Sequence, residues 1–377
     1  MNINSTLKKE GIQIIDRLDS IDINKIATSI SKTMSEVFPE HNINQNDLFI
    51  AIARLNMYIA EMPNDLAIAK YFYKNNSIYF GKDMDFNGLN TVVFHECIHY
   101  MQELKNQSGK LLRLGLYDLE TSPAVGMGLN EAAVQHMASV ATGAALDNVK
   151  YYNMELSTES PDYYPIQTAL LNEMIYFTGT YPLYHSTLFS NDVFKNTFIA
   201  KSNERTYYQI CKNFDLIMEY ESRLSKEIYK LSVASYDLKN LNRIKRINSK
   251  IDDFKKIILE KTLETQNKIM VECFNKELSN VKTLEDTKDF QYKLYNFKHV
   301  IINTYGYNFF NEFYIDMMNK LEERKEYIEK NGNIISSELA ITDLASIESK
   351  TYGFQFFKEL FDKLKLLVEE KVRQKNY

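Results

Sequence analysis

Apolar and polar positions along the chain follow mainly the three-and-four spacing of amphipathic helices. This spacing predicts a helix over residues 23–38, which Pro39 ends, and a second helix from about residue 46 to 60. A longer run with the same spacing, residues 224–258, predicts one long helix or a helical hairpin. Residues 351–372 supply a last amphipathic helix.

Strand signals are convincing at one place, where the turn residues Lys74-Asn75-Asn76 separate two short segments. Residues 66–73 and 77–80 predict two short strands around a turn, the one convincing β-hairpin in the sequence. A helix capped by Asn90 or Thr91 is predicted to follow. After a break at glycine residues, a further helix is predicted for residues 129–140.

Composition supports a mainly helical protein. The chain has 377 residues but only 12 glycines and 6 prolines, too few turn signals for an all-β sandwich or barrel. A chain of this length favours two structural units. We therefore predict an α+β, predominantly helical fold, in which residues 1–200 carry a small antiparallel sheet and residues 201–377 form an all-α helical domain or arm.

Charge and cysteine content narrow the classes of partner and compartment. The formal net charge is -5, so nothing favours nucleic acid or an anionic membrane surface as a partner. The 3 cysteines are too few and too widely spaced for a disulfide framework. Neither a signal-peptide segment nor a long apolar run is present, so we expect a cytoplasmic location.

Residues 95–99, His-Glu-Cys-Ile-His, form an H-E-x-x-H motif inside a predicted helix with apolar flanks. Residues four apart lie about 40° apart around a helix, so His95 and His99 can face one metal ion. Glu96 lies about 100° from His95, beside the metal rather than on it. We therefore expect the two histidines to bind zinc and Glu96 to act as general base towards a metal-activated water.

A third ligand is needed, because a catalytic zinc usually takes three protein ligands and keeps one position for water. The helix after Gly128 carries a single acidic residue, Glu131, among small and apolar neighbours. An unpaired carboxylate in a buried setting is costly unless a cation meets it. We therefore expect Glu131 to complete the site, with about one Zn²⁺ per chain.

The segment Leu-Asn-Glu-Ala-Ala-Val-Gln, following His-Glu-Cys-Ile-His, resembles the glutamate helix of gluzincin metallopeptidases, which include thermolysin. The resemblance covers roughly residues 67–140. It implies a zincin-like catalytic domain in residues 1–200, with the same three ligands and the same base. It also implies that strand 77–80 is the edge strand on which an extended peptide substrate pairs.

One position departs from the thermolysin pattern. In thermolysin-like enzymes an aspartate usually stands four residues after the ligand glutamate and orients the first histidine. This chain has Gln135 at that place, and its amide oxygen can accept the same imidazole hydrogen bond.

Other side chains compete for roles in the site. His136 lies about 140° from Glu131 around its helix, and Cys97 about 200° from His95, so both are expected to face away from the metal. Asp118 and Glu120 fit a solvated loop better. A donor for the tetrahedral oxyanion is expected after the Glu131 helix, where the sequence leaves five candidates open: Tyr163, Tyr164, Tyr181, Tyr184 and His185.

These features predict an enzyme, a zinc-dependent metallopeptidase that hydrolyses peptide bonds in a peptide or protein. The alternative is a catalytically silent zincin-fold module that binds peptides or regulates a partner. Intact Glu96 argues against a silent module, since a protein without turnover has no need of the base. A third hypothesis is a toxin-like protease whose helical arm recognises one specific protein.

Overall fold

The computed structural model describes residues 3–63, 68–86, 90–121, 124–234, 241–304 and 309–331. Helix accounts for most of these residues, with small sheets between, as the predicted α+β, mainly helical class requires. The helices are α1 (Ile3–Lys9), α2 (Ser20–Val37), α3 (Gln45–Ala53), α4 (Thr91–Met101), α5 (Met127–Ala141), α6 (Pro165–Thr178), α7 (Thr180–Phe189), α8 (Val193–Lys201), α9 (Glu204–Ala234), α10 (Leu241–Ser279), α11 (Leu284–Asn296) and α12 (Phe309–Asn331). Within these ranges, no helix has both the length and the apolarity to cross a bilayer.

The largest sheet of the described residues has four strands: β1 (Gln13–Arg17), β2 (Asn56–Glu61), β3 (Ala69–Phe72) and β4 (Ser77–Gly81). Their order is β1-β2-β4-β3. Because β2 and β4 run parallel, this sheet is mixed rather than antiparallel as predicted.

Two smaller sheets are antiparallel throughout. One has the order β5-β6-β7 and the other β10-β9-β8. Their strands are β5 (Glu103–Lys105), β6 (Leu111–Leu114), β7 (Tyr117–Asp118), β8 (Asp147–Tyr151), β9 (Met154–Thr158) and β10 (Asn303–Thr304).

The amphipathic helix predicted at residues 23–38 is α2. The carboxylate of Asp19 caps its first turn by accepting a hydrogen bond from Asp22 N, with an N···O distance of 2.8 Å. Ile23, Ile30 and Met34 are buried, as the spacing predicts. The helix ends at Val37, just before Pro39.

The second predicted helix is too long. Helix α3 stops at Ala53, and the residues from Asn56 onward form β2. This strand pairs with β1 on one side and with β4 on the other, and the ring of Tyr58 stacks on Tyr79 at 5.4 Å between centroids. Pairing with a distant strand overrode the local helical spacing.

The predicted hairpin at residues 66–80 is formed by β3 and β4, although residues 64–67 lie outside the described chain. A second hairpin, β8–β9, was missed. Its turn residues Tyr152 and Asn153 both have positive φ, 48° and 67°, as a tight two-residue hairpin turn requires. The pair Tyr-Asn is a weaker sequence signal for this turn than Asn-Gly.

Of the two structures left open for residues 224–258, the helical hairpin is confirmed. Tyr220 of α9 contacts Phe254 of α10, with 5.6 Å between ring centroids, and Glu227 pairs with Lys250. The paired positions descend along one helix as they rise along the other, so the two helices run antiparallel. The residues between them, and the helix predicted at 351–372, lie outside the described residues.

The described chain separates into two compact units. The first holds residues 3–277 and 291–318, and the second holds residues 278–290 and 319–331. In the second unit, Nε of Arg324 donates to the carbonyl of Val281 at 2.9 Å. Every residue of the candidate site belongs to the first unit, and the division predicted at residue 200 stays a prediction.

Candidate metal centre

Helix α4 presents two histidines on one face. The side chain of Asn90 caps the helix by accepting a hydrogen bond from Val92 N at 2.9 Å. Side chains on the opposite face, Val93 and Cys97, are buried. Held in this way, the Nε2 atoms of His95 and His99 lie 3.0 Å apart.

Helix α5 brings the third group, Glu131. Its carboxylate oxygen Oε2 lies 3.3 Å from Nε2 of His95 and 3.4 Å from Nε2 of His99. The start of α5 is fixed by Asp215 of α9, whose two oxygens accept hydrogen bonds from the backbone N–H groups of Gly126 and Gly128. The sequence predicted this convergence of two helices.

The three donor atoms fit a zinc ion. A tetrahedral zinc about 2.0–2.1 Å from each donor holds its ligand atoms about 3.3–3.4 Å from one another. The separations between His95, His99 and Glu131 are 3.0, 3.3 and 3.4 Å. Two imidazole nitrogens and one carboxylate oxygen are also a donor set that zinc accepts. In the described part of the chain, these three residues are the one such group of His, Cys, Asp and Glu side chains.

The charges of the cluster depend on one another. Burial favours the neutral acid, but His99 and His95 lower the pKa of Glu131 well below its usual range. Burial likewise opposes protonation of His99, yet the Glu131 carboxylate raises the pKa of this imidazole. In the absence of a metal, a protonated imidazole balances the charge of the Glu131 carboxylate. A divalent cation can take over this part, because metal binding uses neutral imidazoles and releases the proton.

Gln135 orients His95. Its amide oxygen lies 2.9 Å from Nδ1 of His95, so an Nδ1–H group can donate to it and leave the Nε2 lone pair facing Glu131. This contact confirms the hydrogen bond predicted for Gln135.

Gln102 plays the equivalent part for His99, and the sequence interpretation missed it. Its amide nitrogen lies 2.9 Å from Nδ1 of His99, while its amide oxygen is buried and has no hydrogen-bond partner among the described residues. A half-turn of the amide exchanges the two atoms, so that Nδ1–H of His99 donates to the oxygen and Nε2 is free for a metal. The available signal was the spacing, since Gln102 follows His99 by three residues and shares its side of the helix.

Glu96 lies beside the cluster, as the helical rotation predicted. It is buried, and its Oε2 accepts a hydrogen bond from the backbone N–H of Tyr71 at 2.5 Å. Tyr71 belongs to β3. The candidate base is therefore tied to a strand of the four-stranded sheet.

The prediction of which strand forms the sheet edge is wrong. Strand β4, which contains residues 77–80, lies inside the sheet between β2 and β3. Strand β3 is the edge, because the chain returns through β4 to pair in parallel with β2. In an antiparallel pair, alternate residues turn their backbone groups to the same side, so Ala69 shares the outward direction that Tyr71 shows.

Of the five oxyanion candidates, Tyr164 reaches the cluster. Its ring stacks on His95 with 6.1 Å between centroids. The charge of Glu131, assisted by burial and by a hydrogen bond to Glu131, raises the pKa of the Tyr164 hydroxyl well above its usual value. Tyr164 has a positive φ of 51° at the start of α6, which no sequence pattern indicated.

The remaining candidates make their contacts elsewhere. The hydroxyl of Tyr184 lies 3.3 Å from Nδ1 of His136, and the ring of Tyr181 stacks with both His41 and His185. The described contact of Tyr163 is made by its backbone carbonyl, which accepts a hydrogen bond from Ser160.

The competing ligands also stay outside the cluster. His136 faces Glu159, with 3.4 Å between Nε2 and Oε1. Cys97 is fully buried, and burial raises the pKa of its thiol. Asp118 accepts a hydrogen bond from the backbone N–H of Glu120, which is exposed.

Comparisons with protein-family models, with curated proteins and with solved structures find no match to this chain.

Proposed function

We propose that the chain is a zinc-dependent metallopeptidase with a zincin-like catalytic region. His95, His99 and Glu131 bind one zinc ion, and Glu96 is the general base. The observation that carries the proposal is the triangle of donor atoms at 3.0, 3.3 and 3.4 Å, with a buried carboxylate next to it on the same helix. The cytoplasmic location remains a prediction.

His95, His99 and Glu131 would hold the zinc ion, which would supply Lewis acidity towards a water molecule and a substrate carbonyl. Glu96 is on the adjacent side of α4, where its carboxylate can take the proton of the attacking water and later deliver it to the leaving amine. Tyr164 offers a hydroxyl donor at the cluster, suited to the negative charge that develops on the carbonyl oxygen.

Strand β3 gives an extended peptide a place to bind. It is the edge of the four-stranded sheet, and the N–H of Tyr71 already reaches Glu96. A substrate strand that pairs with β3 would run past the base and the metal ligands, since backbone pairing orients a peptide independently of its sequence.

The test combines metal analysis with peptide cleavage for the wild type and two variants. We expect about one zinc per wild-type chain and chelator-sensitive cleavage of a proteome-derived peptide library. Glu131→Ala should lose zinc and activity together. Glu96→Gln should keep zinc and lose cleavage. Exposed Glu120, changed to Gln, is the matched control and should alter neither property.

Two outcomes would overturn the proposal. The ligand set is wrong if Glu131→Ala holds as much zinc as the wild type. The catalytic mechanism is wrong if Glu96→Gln cleaves as fast as the wild type.

A further inference from the structure

A second carboxylate, Glu221 of α9, stands near the metal cluster without a cation. It is half-buried, and the one hydrogen bond that the structure gives it comes from the amide nitrogen of Gln167. Among the described residues no basic side chain pairs with it, and burial raises its pKa to about 7. A carboxylate in this setting is stabilised when a positive group arrives.

Gln167 adds a second unsatisfied acceptor at the same place. Its side chain is fully buried, and its amide oxygen has no hydrogen-bond partner within the described chain. Because the amide nitrogen contacts Glu221, the amide oxygen, attached to the same carbon, must lie within a few ångströms of that carboxylate. A donor with several N–H groups could satisfy both residues.

The pair lies close to the proposed reaction centre. Gln167 is in the first turn of α6, three residues after Tyr164, whose hydroxyl contacts Glu131. The charge of Glu221 acts on the hydroxyls of both Tyr164 and Tyr152. A substrate held at the metal cluster would therefore place a neighbouring group near Glu221.

We infer that Glu221 and Gln167 form a subsite for a cationic group of the substrate, an ammonium or a guanidinium, next to the metal cluster. The inference rests on the proposed function for the identity of the ligand as a peptide. Two sources have the required chemistry: the side chain of Lys or Arg, and the free α-amine of a peptide. The first makes the protein selective for a basic residue, and the second makes it selective for a chain terminus.

Four small amides distinguish these sources by calorimetric binding to the full zinc-loaded chain near neutral pH. Acetyl-norleucinamide has no cation, acetyl-lysinamide has the side-chain cation, norleucinamide has the α-amine, and lysinamide has both. We expect at least one cationic amide to bind about tenfold or more tightly than acetyl-norleucinamide, as a charge-assisted hydrogen bond would give.

Variants locate the effect. Glu221→Gln should abolish the preference for cationic amides, and Gln167→Met should reduce it. Glu219→Gln is the matched control, because Glu219 is on the same helix but exposed and paired with Arg223. The thermal unfolding of each variant is measured to check that the fold is kept.

The inference is overturned by equal binding of the four amides, or by a preference that survives in Glu221→Gln. Neither result depends on turnover, because binding of the amides is measured by calorimetry. The zinc content of the chain is measured in a separate experiment. Failure of the subsite is therefore distinguishable from failure of the peptidase proposal.

Discussion

The side-chain amide of Gln102 lies 2.9 Å from Nδ1 of His99, the ring nitrogen opposite the one that faces Glu131. A metal-binding histidine needs its second ring nitrogen protonated and held by an acceptor. With the amide of Gln102 turned by half a turn, its oxygen accepts the hydrogen bond from Nδ1–H of His99. Gln102 is fully buried at the end of α4, and its backbone carbonyl accepts a hydrogen bond from Ser190. The orientation of His99 thus depends on a residue outside the motif.

We predict that Gln102→Leu weakens zinc binding about 10- to 100-fold, because His99 loses the group that fixes its ring. Gln102→Glu keeps an acceptor at the same place and should lose less. Competition with a chromophoric chelator measures both affinities. Gln209→Leu, which removes an amide that bonds Asn213 within α9, is the control and should leave the affinity unchanged. An unaltered affinity in Gln102→Leu would contradict the assigned positioning role.

The lack of a side chain at Gly115 leaves space for the same amide. Gly115 has a φ of +52°, and a Cβ atom there would overlap the side-chain amide group of Gln102. We expect Gly115→Ala to displace Gln102, weaken zinc binding and destabilise the fold by more than the roughly 1 kcal/mol of backbone strain alone. Gly109 has a φ of +78°, but a Cβ atom added there would meet nothing within 4 Å, so Gly109→Ala should show the strain only. Equal zinc affinities in the two variants would contradict this prediction.

Tyr164→Phe should lower kcat about 100- to 1000-fold with little change in KM, if the hydroxyl stabilises the oxyanion. Steady-state kinetics and zinc affinity are measured together. A loss of zinc affinity with unchanged kcat at saturating zinc would show that the hydroxyl only supports Glu131. Tyr163→Phe is the matched neighbour and should leave kcat unchanged.

Glu221 makes stability fall as pH rises. Burial raises its pKa to about 7, above the usual 4.5, so between these values the folded chain holds a proton that the unfolded chain has released. Glu221→Gln removes this penalty. We compare the free energy of unfolding of the variant with that of the wild type at each pH. This difference should favour the variant by about 1–2 kcal/mol more at pH 8 than at pH 4, which is less than the full pKa shift would give because Glu221 is partly exposed. Urea denaturation at both pH values measures it, and a pH-independent difference would contradict the assignment.

The sequence indicated the parts of the site that depend on one helix at a time. Four-residue spacing placed His95 and His99 together, and a lone carboxylate in an apolar helix pointed to Glu131. Both inferences need only helical geometry and the cost of burying charge. The distances between the three donor atoms follow from the way α4 and α5 pack.

Contacts that require tertiary structure could not be predicted from the sequence. The hydrogen bond from Tyr71 to Glu96 uses a backbone N–H, which has no signature in the amino-acid sequence. Tyr164 was one of five equivalent candidates, and its contacts with His95 and Glu131 appear only in the folded structure. The edge strand was misplaced because strand order depends on the parallel pairing of β2 with β4, whose residues are about twenty positions apart.

The hydrogen bonds between Asp215 and the first turn of α5 limit how far the chain can be shortened in a search for a minimal active fragment. Asp215 lies on α9, beyond residue 200, and Gly128 of α5 approaches the backbone of Phe214 so closely that a Cβ there would come within 2.5 Å of the Phe214 carbonyl oxygen. A truncation before α9 would remove Asp215, which fixes the start of α5 and so the position of Glu131 relative to the two histidines. Such a shortened chain would bind metal poorly even with every ligand present.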